Sequence, residues 1–303
     1  MMNRLLLLLK GMAMGGADVI PGVSGGTIAL ITGIYEELIA SIKSVDFKLL
    51  KLLFTFQLRE FWSGINGSFL LTVFGGIAVS IFSLAKLITY LMEYEAIPLW
   101  SFFFGLILVS AYYVMPENKE IKSWIALVVG VVVAYLITSL SQAQTPEAYW
   151  FIFLSGAIAI CAMILPGISG SFILLILGKY EFVLNAVKSF DFGVIAVFGL
   201  GCLIGLLSFA KFIDWLLRNH KNVTLSVLAG FMLGSLNKIW PWKLDASGAE
   251  FIEGTSTNFV NVLPQTYAEI TTNTAQTGIA FIMCIVAFVL VIGLEWAGKK
   301  FSA

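Results

Sequence analysis

GADVIPGVSGGTIALITGIYEELI, Gly16 to Ile39, lies in an apolar run and places a proline and several glycines where a membrane helix would continue unbroken. Pro21 removes a backbone donor and clashes with the turn before it, and the glycines that follow favour departure from helical geometry. The stretch reads as an interrupted helix with about 10 residues before the break and about 15 after it, arms that reach mid-bilayer rather than its far side. A re-entrant hairpin is the expected shape.

The rest of the chain supports a membrane setting. Of its 303 residues 59% are apolar and 12% charged, with a mean hydropathy of +0.95, against roughly 25% charged in soluble domains. Windows of about 18 to 24 nearly uncharged residues have the length a helix needs to cross a hydrocarbon layer of ~30 Å, so helices rather than a β-barrel are indicated. The opening MMNRLLLLLK has only leucines between Arg4 and Lys10 and no small-residue cleavage pattern, so it reads as a mature N-terminus. Zero net charge provides no global field for nucleic acid. Cys161, Cys202 and Cys284 lack metal-ligand spacing, and the single histidine, His220, sits in the polar loop RNHK. Neither a metal nor a cofactor is expected.

The interrupted segment occurs twice. GMAMGGADVIPGVSGGTIALITGIYEELIASIKSVDF, from Gly11, aligns with GAIAICAMILPGISGSFILLILGKYEFVLNAVKSFDF, from Gly156, with about 16 of 37 positions identical. Pro21, Gly22, Ser24 and Gly25 answer Pro166, Gly167, Ser169 and Gly170. After an extra stretch of about 20 residues in the first copy, the match resumes, with Lys86 answering Lys211 and Gly105 answering Gly230. The chain divides into a first membrane repeat, 1–148, and a second, 149–303, forming one transmembrane unit. Three spans per repeat are expected, near 69–92, 98–115 and 122–140, then near 194–217, 224–240 and 277–297.

Charge placement sets the orientation. An odd number of crossings per copy inverts the second copy relative to the first. With both motif segments re-entrant, about 12 Lys and Arg residues fall on one face, presumed cytoplasmic with the N-terminus, and only Lys188, Lys238 and Lys243 on the other. A crossing motif segment would split the basic clusters. The expected fold is therefore an all-α integral membrane protein of two inverted-topology repeats, each a re-entrant broken-helix hairpin plus three transmembrane helices.

A half-helix starting near the midplane directs unpaired N–H groups and its positive dipole end at whatever lies there, and glycine lets a ligand approach closely. Small residues of this kind also let helices pack. Their recurrence as PG-x-SG at equivalent positions favours two opposed anion sites, built on Pro21, Gly22, Ser24, Gly25, Gly26 and Thr27 and on Pro166, Gly167, Ser169, Gly170 and Ser171. Lys86 and Lys211 read either as phosphate-pairing cations or as snorkelling side chains. Glu36 and Glu181 are either headgroup-level carboxylates or coupling groups for a proton or sodium ion. Asp18, whose counterpart is Met163, is either an ion carrier or a partner for a lysine.

The motif GMAMGGADVIPGVSGGTIALITGIYEEL closely resembles the N-terminal signature of the polyprenyl-phosphate transporter family, once known only as a domain of unknown function. The resemblance spans essentially the whole chain. It implies translocation of undecaprenyl phosphate, the lipid carrier of bacterial wall precursors, from the outer to the inner leaflet of the cytoplasmic membrane, with lipid phosphate and bilayer as the partners. Ser171 and Phe172 stand where the first copy has Gly26 and Thr27, so the two sites should be unequal. Two rivals remain. A membrane undecaprenyl-pyrophosphate phosphatase has a similar loop but needs an arginine there, where this chain has Gly25 and Gly170. A transporter or channel for a small soluble anion would use half-helix ends equally well.

Overall fold

The computed structural model describes residues 4–20, 22–117, 120–245, 247–249 and 259–302. The first half runs α1 (Arg4–Asp18), α2 (Gly25–Ile31), α3 (Tyr35–Lys43), α4 (Phe47–Phe54), α5 (Leu58–Gly64), α6 (Gly67–Tyr94), α7 (Ala96–Val114) and α8 (Ile121–Thr138). The second runs α9 (Tyr149–Ile164), α10 (Gly170–Ile176), α11 (Tyr180–Lys188), α12 (Phe192–Asn219) and α13 (Lys221–Ser235). A short antiparallel pair, β1 (Lys243–Leu244) and β2 (Val260–Asn261), then α14 (Pro264–Thr271) and α15 (Thr277–Ser302) complete it. Apart from α4, α5, α14 and the strand pair, the halves present corresponding elements in the same order. The extra stretch of the first half forms α4 and α5, whose Phe54, Leu58 and Trp62 are exposed.

Among the described residues, α6, α7, α8 and α12 are long and apolar enough to cross a membrane, and the number rises to six if each bent helix pair counts as one span. The chain is a multi-pass membrane protein. Four of the six expected spans fall on these helices; the other two fall on α13, which begins earlier and ends at Ser235, short of the expected 240, and on α15, neither of which meets the same length and hydropathy requirement over the described residues.

The segment after each break differs from the single arm of about 15 residues that the sequence suggests. It is two helices, α2 and α3 bent by 117°, and α10 and α11 bent by 107°. Gly33 and Gly178, at φ +73° and +61°, cause this. Gly33 N–H donates to Leu30 O and Ile34 N–H to Ala29 O, while Gly178 N–H donates to Leu175 O and Lys179 N–H to Leu174 O. Both are left-handed caps that satisfy the last carbonyls and end the helix. Each half-helix is seven residues long, about 10 Å.

Between helices the close contacts come from glycine. A Cβ on Gly11 would meet Val73 O of α6 at 2.4 Å, and one on Gly156 would meet Phe198 O of α12 at 2.5 Å. Thus α1 lies on α6 and α9 on α12. The third long helix of each half packs on the other half: α8 on α13 and α15 on α7. There Gly130 and Gly230 bring backbones together, with the Cβ of a residue at Gly230 only 2.3 Å from Leu127 O. Lipid gives no hydrophobic drive to helix pairing, so close van der Waals packing at small residues must hold these pairs.

Two joints fix how the ends sit. Asn66, just before α6, donates to Glu37 (2.9 Å) and Ser41 (3.3 Å) of α3. Lys43 of α3 pairs with Asp214 near the end of α12, which also takes Arg218 at 2.9 Å. At the other joint Ile97, opening α7, packs with Trp242 and Leu244 beyond α13, and with Tyr267 and Ala280.

Gly230→Leu should overpack the α8–α13 seam at a cost of roughly 1–3 kcal/mol. The melting temperature in detergent should fall, while Gly199→Leu, at a position with open space around it, leaves it unchanged.

Candidate functional site

Pro21 lies outside the described residues, so the first break is read from its neighbours. Gly22 takes φ +89°, and its counterpart Gly167 takes +88°. This left-handed geometry at both positions lets the chain reverse without a Cβ penalty. After it, Ser24 caps α2 in extended conformation, accepting from Gly26 N–H at 3.1 Å.

The two breaks meet. Gly167 N–H donates to Thr27 Oγ1 at 2.9 Å, within a fully buried contact. Ser24 Oγ–H donates to Met163 O at 3.1 Å, and a Cβ on Gly26 would sit 2.7 Å from Ile164 O. Ser24 and Thr27 of the first half therefore serve backbone groups that the second half's break leaves open. Such groups, stranded in a low-dielectric interior, would each cost several kcal/mol.

The breaks are not equivalent. Asp18 accepts from Gly25 N–H at 2.7 Å, so the start of α2 already holds a carboxylate of the chain itself. Met163 offers no such group to α10. Ser169 makes no side-chain cap bond, and its hydroxyl pairs instead with that of Ser171 at 2.8 Å. Pro166 and Gly167 are buried and Gly170 and Ser171 half-buried. The first half's amides are thus less open than the sequence suggests, while those at Gly170 and Ser171 face no capping carboxylate.

The remaining residues singled out from sequence lie apart from this contact. Lys86 and Lys211 occupy exposed positions on α6 and α12, and Glu181 is exposed on α11. Glu36 forms an ion pair with Lys221 at 2.6 Å, joining α3 to α13. A pocket beside that pair is lined by Leu30, Ile31, Tyr113 and Leu225. Among the described residues no cluster of histidine, cysteine, aspartate and glutamate suits a metal ion.

Two of the lysines assigned by charge placement to the far membrane face are buried in the protein. Lys238 and Lys243 are 1% and 4% exposed. The stem of Lys238 lies against the first break, where a Cβ on Gly22 would come within 2.9 Å of Lys238 Cγ. The sequence offers one signal for this, a lysine-bearing stretch, NKIWPWK, in which two tryptophans separate the cations.

The sequence profile of the VCA0040-like family, described as undecaprenyl phosphate translocase-like, matches residues 14–257. The chain belongs to this family. A curated protein of Vibrio cholerae named polyprenyl-phosphate transporter is 48% identical over 303 residues, covering 99% of this chain and 98% of the relative. One of the same name from Staphylococcus aureus is 34% identical over 254 residues, covering 77% of this chain and 85% of the relative. No solved structure matches the chain significantly. The family's profile spans both broken segments and their point of contact.

Thr27→Val would leave the buried Gly167 N–H without its acceptor, at about 1–3 kcal/mol. Thermal unfolding in detergent should show a lower melting temperature for Thr27→Val and near-native stability for Thr27→Ser.

Proposed function

We propose that this chain translocates undecaprenyl phosphate from the outer to the inner leaflet of a bacterial cytoplasmic membrane, with its head group held where the broken helices meet. The observation that carries the reading is the buried contact of Gly167 N–H with Thr27 Oγ1, which brings the two PG-x-SG breaks together. Both relatives carry the name polyprenyl-phosphate transporter, and a phosphate at hydrocarbon depth needs donors in place of water. Ser169 and Ser171 supply hydroxyls and Gly22 and Gly170 close backbone, while Ser24, Thr27, Gly25, Gly26 and Gly167, already hydrogen-bonded within the breaks, frame the site. Lys86 and Lys211, being exposed, would meet the head group only as it enters or leaves. The prenyl tail stays in the bilayer.

Inverted repeats over 1–148 and 149–303 fit the packing. The start of α6 and the end of α12 both join α3 through Asn66 and Asp214, which supports opposite senses for these two corresponding helices. Likewise the start of α7 meets residues just beyond the end of α13. Each α1–α2 or α9–α10 turn is then re-entrant, one from each side. With the basic end cytoplasmic, the N-terminus lies inside. Rocking of one half against the other would expose the site alternately. Glu36 and its partner Lys221 lie on the cytoplasmic side of that path, and Asp18, at the first break, is the carboxylate best placed to carry a proton or sodium ion. Glu181 would serve as the corresponding group on the second hairpin.

The chain performs no covalent chemistry in this reading, because Gly25 and Gly170 stand where a phosphatase loop needs a cationic side chain.

Flux in defined liposomes tests it. Leaflet exchange of labelled undecaprenyl phosphate should appear with the protein, and should fall about tenfold or more, the equivalent of ~1.4 kcal/mol, in Gly170→Leu with insertion intact. A leucine at Gly25 would collide with Asp18, since a Cβ there lies 2.5 Å from Oδ2, and should act alike. Undiminished exchange in both variants would remove the head group from the breaks. Phosphate release from a pyrophosphate lipid would indicate a phosphatase, and uptake of soluble anion a channel or small-anion transporter.

A further inference from the structure

The two halves pack alike where α1 on α6 matches α9 on α12 and α8 on α13 matches α15 on α7, and they part at the second helix of each hairpin. Helix α3 crosses to the other half and lies along α12, whereas α11 lies on α12 of its own half and has no comparable packing on α6. Apolar side chains of α3 accordingly join Ile213 and Leu217 of α12 in one core, while Ala186 of α11 packs with Ile152 and Val194 of its own half. Ile39 is 1% exposed, but Leu184, at the matching place in α11, is 41% exposed. Ion pairs follow the same division. Lys43 ties α3 to Asp214 and Glu36 ties it to Lys221, both across the halves, and among the described residues the matching Lys188 and Glu181 form no ion pair.

An apolar face turned to lipid costs little, so the exposure of Leu184 carries no weight by itself. The repeat gives it meaning, because a face that one copy buries against a helix has a matching helix in the other copy. That helix is α6. In the register that pairs Lys86 with Lys211, Asp214 answers Thr89 and Arg218 answers Glu93, and both Thr89 and Glu93 are exposed near the end of α6. Lys188 would therefore find a carboxylate there, one turn beyond the place that corresponds to Asp214. Room is available as well. Lys221, which holds the start of α3, answers Ala96, and at that turn an apolar cavity of about 300 Å³ is lined by Ile88, Glu95 and Pro98. Gly33 and Gly178, left-handed at the head of α3 and of α11, are the natural hinges for both helices.

We propose that α3 and α11 dock in turn: the joint of α3 on α12 closes the site on the Lys43 side in this structure, and in the opposite state α3 leaves α12 while α11 lies along α6 with Lys188 beside Glu93. The purpose of the exchange rests on the translocation reading, while the unequal packing of the two helices stands without it. Because the two states use matching surfaces, the free-energy gap between them is small enough for a bound substrate to tip.

The test uses full-length protein in liposomes, with Cys161, Cys202 and Cys284 replaced by alanine and a short bis-maleimide as cross-linker. Lys43→Cys with Asp214→Cys should link, reporting the contact of this structure, and Thr89→Cys with Lys188→Cys should link as well, reporting the opposite state. Adding Lys43→Gln to the second pair loosens the closed joint and should speed its linking about two- to fivefold. Lys221→Gln, which breaks the exposed pair with Glu36, should act in the same direction and serves if Lys43→Gln does not fold. Glu93→Gln should slow the linking. A second pair that does not link while the first does, or that links at one rate in all these backgrounds, overturns the proposal. Leaflet exchange of labelled undecaprenyl phosphate separates the two readings. Either link should stop exchange relative to the same protein capped with N-ethylmaleimide. Links that form and respond as expected in a protein without wild-type exchange keep the alternating joint and remove translocation, whereas exchange that survives both links keeps translocation and removes the joint.

Discussion

Backbone polar groups buried away from water must find partners, and here two interrupted helices find them in each other. Thr27 accepts from Gly167 N–H, and Ser24 donates to the carbonyl of Met163. Both hydroxyls come from the first half and both backbone groups from the second. The contact therefore does more than pack: it satisfies groups that neither segment satisfies alone. Because each half-helix is only seven residues long, its internal hydrogen bonds are few, and position must be fixed by this mutual bonding and by the helices behind it. The glycine seams of α1 on α6 and α9 on α12 provide that backing.

Asymmetry at the breaks follows from a handful of residues. Asp18 gives the start of α2 a carboxylate, and Met163 gives the start of α10 none. Gly26 fits beneath the Ile164 carbonyl, where its counterpart Ser171 turns instead to Ser169. Thr27 reaches across to Gly167, while its counterpart Phe172 places a ring beside Lys238. A duplicated segment has been specialised, with the first copy closed by its own polar groups and the second bordered by an aromatic face and a cation.

Much of the fold is legible in the sequence. Long apolar runs give the spans because only helices satisfy backbone in lipid, and the recurrence of PG-x-SG shows that the break is built rather than incidental. Gly33 and Gly178 recur as well, yet their meaning as left-handed caps emerges only with the hydrogen bonds of Ile34 and Lys179. Hence the segment after each break looks longer in sequence than it is. The site is less legible. Lys86 and Lys211 stand out because they interrupt apolar helices at matching places, but a helix has two faces and theirs is exposed. Lys238 and Lys243 look like interfacial cations, since the two tryptophans between them do not by themselves tell that their stretch turns inward. That depends on Phe172, Trp100 and Gly22, which are distant in sequence. A side chain's burial is set by tertiary packing, and charge counts along the chain do not report it.

The exchange of helices between halves has a consequence for biogenesis. Because α7 receives its cover from α15, which is made well after it, the N-terminal half leaves the ribosome with one side of its central helix lacking a native neighbour. Until α15 emerges, α7 has lipid or the insertion machinery for company, and α8 must wait for α13. A nascent chain stalled before Thr277 would hold an unclosed bundle open to quality control.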